Sequence, residues 1–518
     1  MSNKPEKLSQ RDERLVTSAA GEEGRSKIAD PSLPTPPGIP KSRRSTHPLY
    51  NWFNERVGLD ELLDLALDEP VPGGASYSYV FGSALLAVLL LQALSGVALL
   101  FYYTPTVDHA HTSVAYIMKE VAGGPFIRGL HVYGASAMII LLAVHVIQTF
   151  FYGSYKGQRE LQWVSGVVLF FLVLGMGFTG YLLPWDQKAY FATKVGTNVG
   201  AEIPVIGSQI KLLLLRGQHL GALTLSAFFV THVFIIPALI VLFVALHIYL
   251  LRKRGAAGPV SRDLVEIKLR TQPFYPYQVA KDLVVATGTI VLIGVVAYLF
   301  PPDLGPKANP ADIHYLPRPD WYFRFLFQWL KYWPGSRAVI GIVVIPAIII
   351  LLFLLVPFID RRPERRPWRR PLAVGIFLAI LIGIVVLGGL SYFDDSHNPA
   401  VAEQMARQRQ QTEEFMKAPF TPDTAGPIAV PAASPANPLV AAGQKVFQSD
   451  SCFACHGEAG VGTSAAPKLI GISQKYSSQQ LAFLLRHYSP GMIKGGMPKF
   501  PFSDQDLTAL VAYLESLK

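Results

Sequence analysis

HVYGASAMIILLAVH, residues 131–145, and HVFIIPALIVLFVALH, residues 232–247, decide the fold. Each stretch opens and closes on a histidine and carries no charge between. The intervals are fourteen and fifteen residues, so at about 100° and 1.5 Å per residue each pair returns to within about 60° of one helix face, roughly 21 Å apart. Ionisable side chains inside apolar spans are rare unless they bind or move something, and imidazole is a common axial ligand of haem iron. Two such helices side by side would clamp two flat iron porphyrins stacked across a membrane, one between His131 and His232 and the other between His145 and His247. Pro237, inside the second stretch, would kink its helix and correct the phase lost to the extra residue.

Glycine supports the same geometry from two other helices. Gly82 and Gly96, and again Gly166 and Gly180, repeat the fourteen-residue interval. A residue without a side chain lets a planar ring press against backbone, and the coincidence of interval argues against ordinary small-residue packing.

Of the 518 residues, 51% are hydrophobic and 16% charged, too apolar for a set of soluble domains. Uncharged runs at about 80–103, 130–151, 163–183, 223–251, 283–300, 338–359 and 372–390 approach or exceed the length needed to cross hydrocarbon, which gives seven spans. The net charge of +10 does not mark a nucleic-acid surface, because the basic residues gather in alternate loops. Lys156 and Arg159 follow the second span; Arg252, Lys253, Arg254, Arg262, Lys268 and Arg270 follow the fourth; Arg361, Arg362, Arg365, Arg366, Arg369 and Arg370 follow the sixth. By the positive-inside rule these loops and the N-terminus face the cytoplasm, and seven spans carry the C-terminus outside. The membrane is expected to be a bacterial cytoplasmic one.

Residues 1–47 read as a disordered cytoplasmic tail with no signal-peptide pattern, and 48–70 as an amphipathic surface helix with Leu59, Leu62, Leu63, Leu65, Ala66 and Leu67 near one side. Residues 392–438, alternately charged and Pro/Ala-rich, read as a flexible linker. The last segment, 439–518, has an opening helix near Ala441–Phe447 and a closing helix from Asp504 to Leu517. Between them Cys452-Phe453-Ala454-Cys455-His456 is the C-x-x-C-H pattern that attaches a haem covalently. These are the only two cysteines, so no disulfide or cysteine-ligated iron–sulfur cluster is available.

With these residues in view, the chain resembles cytochrome b of the quinol:cytochrome c oxidoreductases, with the chain order and histidine interval of the b6f type. The first half (48–255) carries the likeness in Trp163-Val164-Ser165-Gly166, Gly180-Tyr181, Pro184-Trp185-Asp186-Gln187 and Ile203-Pro204-Val205-Ile206-Gly207. Residues 256–391 look like subunit IV of that type, continuous here with the first half. The fold implied is all-α, a four-helix dihaem bundle plus three further membrane helices, followed by a small helical cytochrome c domain.

Pro319-Asp320-Trp321-Tyr322 looks like the family's quinol-oxidation motif, with Asp in place of Glu. The resemblance gives Asp320 and Tyr322 the catalytic role, a carboxylate near a quinol being able to accept its hydroxyl proton. It also implies that Arg128 and Arg159 pair with haem propionates and that Arg252 and Lys253 border an inner quinone site. Val80 stands where b6f relatives carry a cysteine for an additional haem, so none is expected. In the C-terminal segment Cys452 and Cys455 would form thioethers, with His456 the proximal ligand and Met497 in Gly495-Gly496-Met497-Pro498 the distal one, ahead of Met492 and His487.

The cofactors implied are two non-covalent b-type haems, one c-type haem and quinol/quinone. The partners implied are a Rieske iron–sulfur protein, the membrane quinone pool, a soluble cytochrome or terminal oxidase, and a second copy of the complex. The activity implied is a proton-translocating bifurcation, one electron to the Rieske protein and one through both b haems to an inner quinone. A dihaem anchor of a membrane dehydrogenase, which carries electrons without dividing them, is the alternative.

Overall fold

The computed structural model describes residues 47–60, 63, 67, 69–217, 220–260, 264–310, 312, 314–422, 437–449, 452–457, 460–462, 466–494, 497, 499–500 and 502–517. The tail expected over 1–47 lies almost wholly outside them. The chain divides into residues 1–68 and 69–518.

In the first unit a helix spans Pro48–Val57 and stops at Gly58, which turns into the left-handed region (φ 65°) and returns its N–H to Asn54 O. Asn54 also clasps Asp60, donating at 2.7 Å and accepting the Asp60 N–H at 2.6 Å. The uninterrupted amphipathic helix expected over 48–70 is therefore broken at glycine, the residue that adopts this conformation without cost. Leu62, Leu65 and Ala66 lie outside the described residues.

Among the described residues the second unit has seven helices long and apolar enough to cross a membrane: Tyr77–Leu100, Gly124–Phe151, Glu160–Tyr181, Ala222–Arg254, Phe274–Leu299, Ile340–Ile359 and Pro371–His397. Their large apolar side chains point outward at Leu90, Leu94, Val241, Leu242 and Val385, the reverse of a water-soluble bundle. The first span packs on the second and the third on the fourth; the fifth lies against the first and second, the sixth against the third. The fourth span holds a π-helical turn, Thr231–Ile235, immediately before Pro237. Proline lacks the N–H that would close the preceding α-turn, and a π-turn absorbs one additional residue. The extra residue in the His232–His247 interval is taken up by this π-turn, just before the proline at which the correction was expected.

The connection after the second span is locked to the one after the sixth. Lys156 Nζ donates to Asp360 Oδ1 at 2.6 Å, Tyr155 Oη to Oδ2 at 2.7 Å, and Arg370 Nη1 to Oδ2 at 3.1 Å. Arg370 is 5% exposed and also donates to the Phe150 and Phe151 carbonyls at the end of the second span, both at 3.0 Å.

Residues 392–438 are not the continuous tether expected. The seventh span runs to His397, and a further helix covers Pro399–Lys417, with Asn398 accepting the Val401 N–H as its cap. Phe415, Met416 and Phe420 pack on Val114, Met118 and Leu304, and Lys119 Nζ donates to the Phe415 and Ala418 carbonyls at 2.5 and 2.7 Å. Ion pairs Glu403–Arg407 and Glu413–Lys417 cover its solvent side. Residues 423–436 lie outside the described structure. Beyond them, helix Pro438–Ser449 crosses the closing helix Asp504–Ser516 at Gly443, where a Cβ would stand 1.8 Å from Ala509 O.

Burial opposes ionisation of Asp360, but hydrogen bonds from Lys156, Tyr155 and Arg370 outweigh it and hold the carboxyl below its usual range. Its stabilisation is therefore fully present above about pH 4 and is lost as pH falls through the lower, folded value. Asp360→Asn is expected to destabilise the detergent-solubilised protein by about 3 kcal/mol at neutral pH, because it leaves two cations without their anion. Unchanged thermal unfolding at pH 7 would contradict this.

Candidate functional site

The four span histidines face one another across the gap between the two helix pairs. His131 and His232 have ring centroids 6.2 Å apart, their planes inclined by 75°. His145 lies within electrostatic reach of His247. An iron held at about 2.0–2.1 Å by each Nε2, with roughly 1.2 Å more to each ring centre, needs about 6.4 Å between centroids. The observed 6.2 Å is close to that value, so the pair is spaced as a bis-imidazole iron would need.

Each imidazole stands against one of the repeated glycines. A Cβ at Gly96 would lie 3.2 Å from His131 Cε1, at Gly166 3.2 Å from His247 Cε1, at Gly180 2.5 Å from His232 Cε1, and at Gly82 4.0 Å from His145 Cε1. Any side chain at 180 would displace the ring that it backs. The glycines thus make room first for the imidazoles, a closer role than the one the sequence suggested.

Sequence reasoning missed the hydroxyls beside these glycines. Ser95, Ser165 and Thr179 stand 3.1, 2.9 and 3.2 Å from Nδ1 of His131, His247 and His232. The signal was present, since each hydroxyl residue directly precedes its glycine.

Asp320 and Tyr322 sit at the end of the bundle that holds His131 and His232. Their loop leans on the second span through Trp321 Nε1, 3.4 Å from Ser136 Oγ, and on the third, where a Cβ at Gly177 would meet Tyr322 Oη at 3.2 Å. Gly177 and Gly180 are one turn apart, so the same helix backs Tyr322 and His232. Burial, reinforced by Asp320, pushes the Tyr322 phenol up, leaving it a proton-bearing hydroxyl at neutral pH. Asp320, one third exposed, receives a hydrogen bond from Lys188 Nζ at 2.7 Å, a partner that no sequence motif announced. Behind the loop, Arg318 forks onto Asp395 with its Nε and Nη2 each donating at 2.8 Å, and Arg324 joins the same carboxylate at 3.1 Å.

Arg128 donates to the Pro302 and Asp303 carbonyls at 3.0 and 3.1 Å, and Arg159 to those of Lys156, Arg254 and Gly255 at 3.1–3.3 Å. Both guanidiniums thus clamp loop backbone, a role that the sequence did not announce. Arg252 pairs with Glu69 at 3.3 Å.

In the C-terminal segment Cys452 and His456 share one helical turn, and His456 Nδ1 bonds the Pro467 carbonyl at 2.9 Å, which leaves Nε2 as its free donor atom. Burial pushes His456 below the usual imidazole range, against the pull of that carbonyl, so the ring is neutral and ligand-competent at pH 7. Met497 packs with Cys452 on the core of Phe447, Leu481 and Leu510, and its N–H bonds Met492 O at 3.0 Å. His487 is exposed and stacks on Phe483 at 4.5 Å. Gly495, Gly496 and Pro498 lie outside the described residues.

Family models agree with this division of the chain: cytochrome b/b6/petB matches residues 66–255, the C-terminal part of cytochrome b (b6/petD) 307–407, and cytochrome c 440–518. The cytochrome bc complex cytochrome b subunit of Chlorobaculum thiosulfatiphilum is 37% identical over 332 residues, 64% of this chain and 77% of that protein. The chain belongs to the cytochrome b family of bc complexes. The menaquinol:cytochrome c reductase cytochrome b subunit of Bacillus subtilis (strain 168) is 42% identical over 220 residues, 41% of this chain and 98% of that protein. A solved hyperthermophilic respiratory Complex III aligns with a TM-score of 0.60 at 26% identity, covering 71% of this chain and 96% of the matched one. This cytochrome b is continuous with a C-terminal cytochrome c domain.

Because a side chain at position 180 would collide with His232, Gly180→Val is expected to abolish the low-spin electron paramagnetic resonance signal of one b haem while the c-type absorption remains. Full retention of both b signals would show that the glycine does not shape the pocket.

Proposed function

We propose that the chain is the haem-carrying, quinol-oxidising subunit of a bacterial quinol:cytochrome c oxidoreductase. The observation that carries this reading is the seating of the Asp320–Tyr322 loop on the third span, one turn from the glycine that backs His232. A quinol in that corner lies beside both a proton acceptor and the His131–His232 layer. Menaquinol, the substrate in the name of the Bacillus subtilis relative, is the favoured quinol.

In this reading Asp320 takes one hydroxyl proton from the quinol. Lys188 holds the carboxylate at the aqueous rim, where the proton is released, and the buried Tyr322 phenol orients the head group. When bound, the b haems would supply one-electron carriers linking this corner to the opposite face; His131 with His232 and His145 with His247 would hold them. By the positive-inside rule, the basic loops after the second, fourth and sixth spans support a cytoplasmic position for the His145–His247 layer, where a quinone would take up electrons and protons. The other electron of each quinol goes to a Rieske protein, which must be a partner because both cysteines of this chain lie in the C-x-x-C-H motif. In the c domain Cys452 and Cys455 would attach a haem and His456 and Met497 would hold its iron; so loaded, the domain would pass that electron to a soluble cytochrome or oxidase. The complex is read as a dimer.

General-base catalysis typically contributes about 10²–10⁴-fold, so Asp320→Ala is expected to lower inhibitor-sensitive quinol:cytochrome c reduction by about 10²-fold with all haems retained. Turnover equal to wild type would remove Asp320 from the mechanism.

A further inference from the structure

Three of the four span histidines meet a hydroxyl residue followed at once by glycine: Ser95-Gly96 opposite His131, Ser165-Gly166 opposite His247 and Thr179-Gly180 opposite His232. The direction of each hydrogen bond follows from the hydroxyl's second contact. Ser95 Oγ donates to Leu91 O at 2.7 Å, Ser165 Oγ to Gln162 O at 2.8 Å and Thr179 Oγ1 to Gly175 O at 2.8 Å. A hydroxyl has one proton, so toward the imidazole it accepts. That fixes N–H on Nδ1 and leaves the Nε2 lone pair free for iron. For His232 the Met176 carbonyl, 3.1 Å away, shares the acceptance.

The fourth histidine breaks the pattern. Opposite His145 the dipeptide is Phe81-Gly82, with no hydroxyl. Met176 precedes Gly180 by four residues; the residue four before Gly82 is Ser78, and its carbonyl accepts from Gln148 Nε2 instead. The ring also stands farther from its glycine than the other three do. Among the described residues the His145 ring has no hydrogen-bond partner.

An imidazole that donates its Nδ1–H to an acceptor becomes a more basic ligand and favours the more highly charged, oxidised metal. His131 and His232 both have that support, whereas in the second layer only His247 does. We infer that position 81 tunes the His145–His247 layer: the phenylalanine there leaves His145 without the acceptor that the other three rings have, and so holds this layer at a higher potential than a hydroxyl residue at 81 would. The inference rests on the haem-binding reading of the four histidines.

The test is a redox titration of the two b haems in the purified complex, with Phe81→Ser and Ser165→Ala. Phe81→Ser supplies the missing acceptor and is expected to shift one b haem toward the oxidised form by roughly three- to tenfold, up to about 59 mV for a one-electron couple. Ser165→Ala removes the remaining hydroxyl of the same layer and should shift that same haem in the opposite direction. In both variants the other b haem should hold its potential, while Ser95→Ala moves that other haem alone. The inference is overturned if both haems are bound and Ser165→Ala leaves both potentials unchanged, or if Phe81→Ser assembles and moves neither haem or the wrong one. Should Phe81→Ser fail to assemble, Ser165→Ala against Ser95→Ala decides. A wild-type complex lacking two b haems would instead overturn the reading on which the inference stands.

Discussion

Four imidazoles reach across a gap between two helix pairs, and everything else in the membrane part is arranged to hold them there. An imidazole projecting from one apolar helix needs space beside the next; glycine leaves it, a Cβ meeting the ring at 2.5 Å at position 180 and tightly, at 3.2 Å, at 96 and 166. It also needs an acceptor for its second nitrogen, because an unmade hydrogen bond in an apolar interior is costly. Ser95, Ser165 and Thr179 answer that need with hydroxyls whose own protons are already given to the helix backbone. Three of the four histidines are thus oriented before any iron is added, which is the condition for a selective redox centre.

The loops show the same logic at the bundle ends. One end is fastened by a carboxylate, Asp360, gathering Lys156, Tyr155 and Arg370 from two connections. The other is fastened by Asp395, which takes Arg318 and Arg324 from the segment that carries Asp320. This second clamp fixes the height of the Asp320 loop on the third span, and hence its distance from the His232 layer. Lys188 then meets Asp320 at the rim, where the lysine is about half exposed and the carboxylate one third.

The architecture was legible because its determinants are periodic or chemically unusual. Histidine and glycine intervals, seven uncharged runs and a paired-cysteine haem motif are all features of spacing, and spacing survives folding. What escaped depends on local competition between forces. The π-turn at Thr231–Ile235 follows from the missing N–H of Pro237, but whether such a helix bends or widens is settled by its neighbours. The helix Pro399–Lys417 has only a short apolar stripe around Phe415 and Met416, and its charge and proline flanks imitate a linker until Val114, Met118 and Leu304 are present to cover it. Arg128 and Arg159 also hold loop carbonyls that are distant in sequence, Pro302 and Gly255 among them, contacts that no local pattern announces. The Lys188–Asp320 pair joins residues 132 positions apart, beyond the reach of any local pattern.

The central claim is that the four span histidines hold two non-covalent haems and that the C-terminal motif holds one covalent haem. The most direct measurement is a pyridine haemochrome assay on the purified chain, read with its reduced-minus-oxidised spectrum. The account predicts two b haems for each c haem, with the b signal extracted by acidified acetone and the c signal left on the polypeptide. A single b haem, or none, alongside the c haem would contradict it.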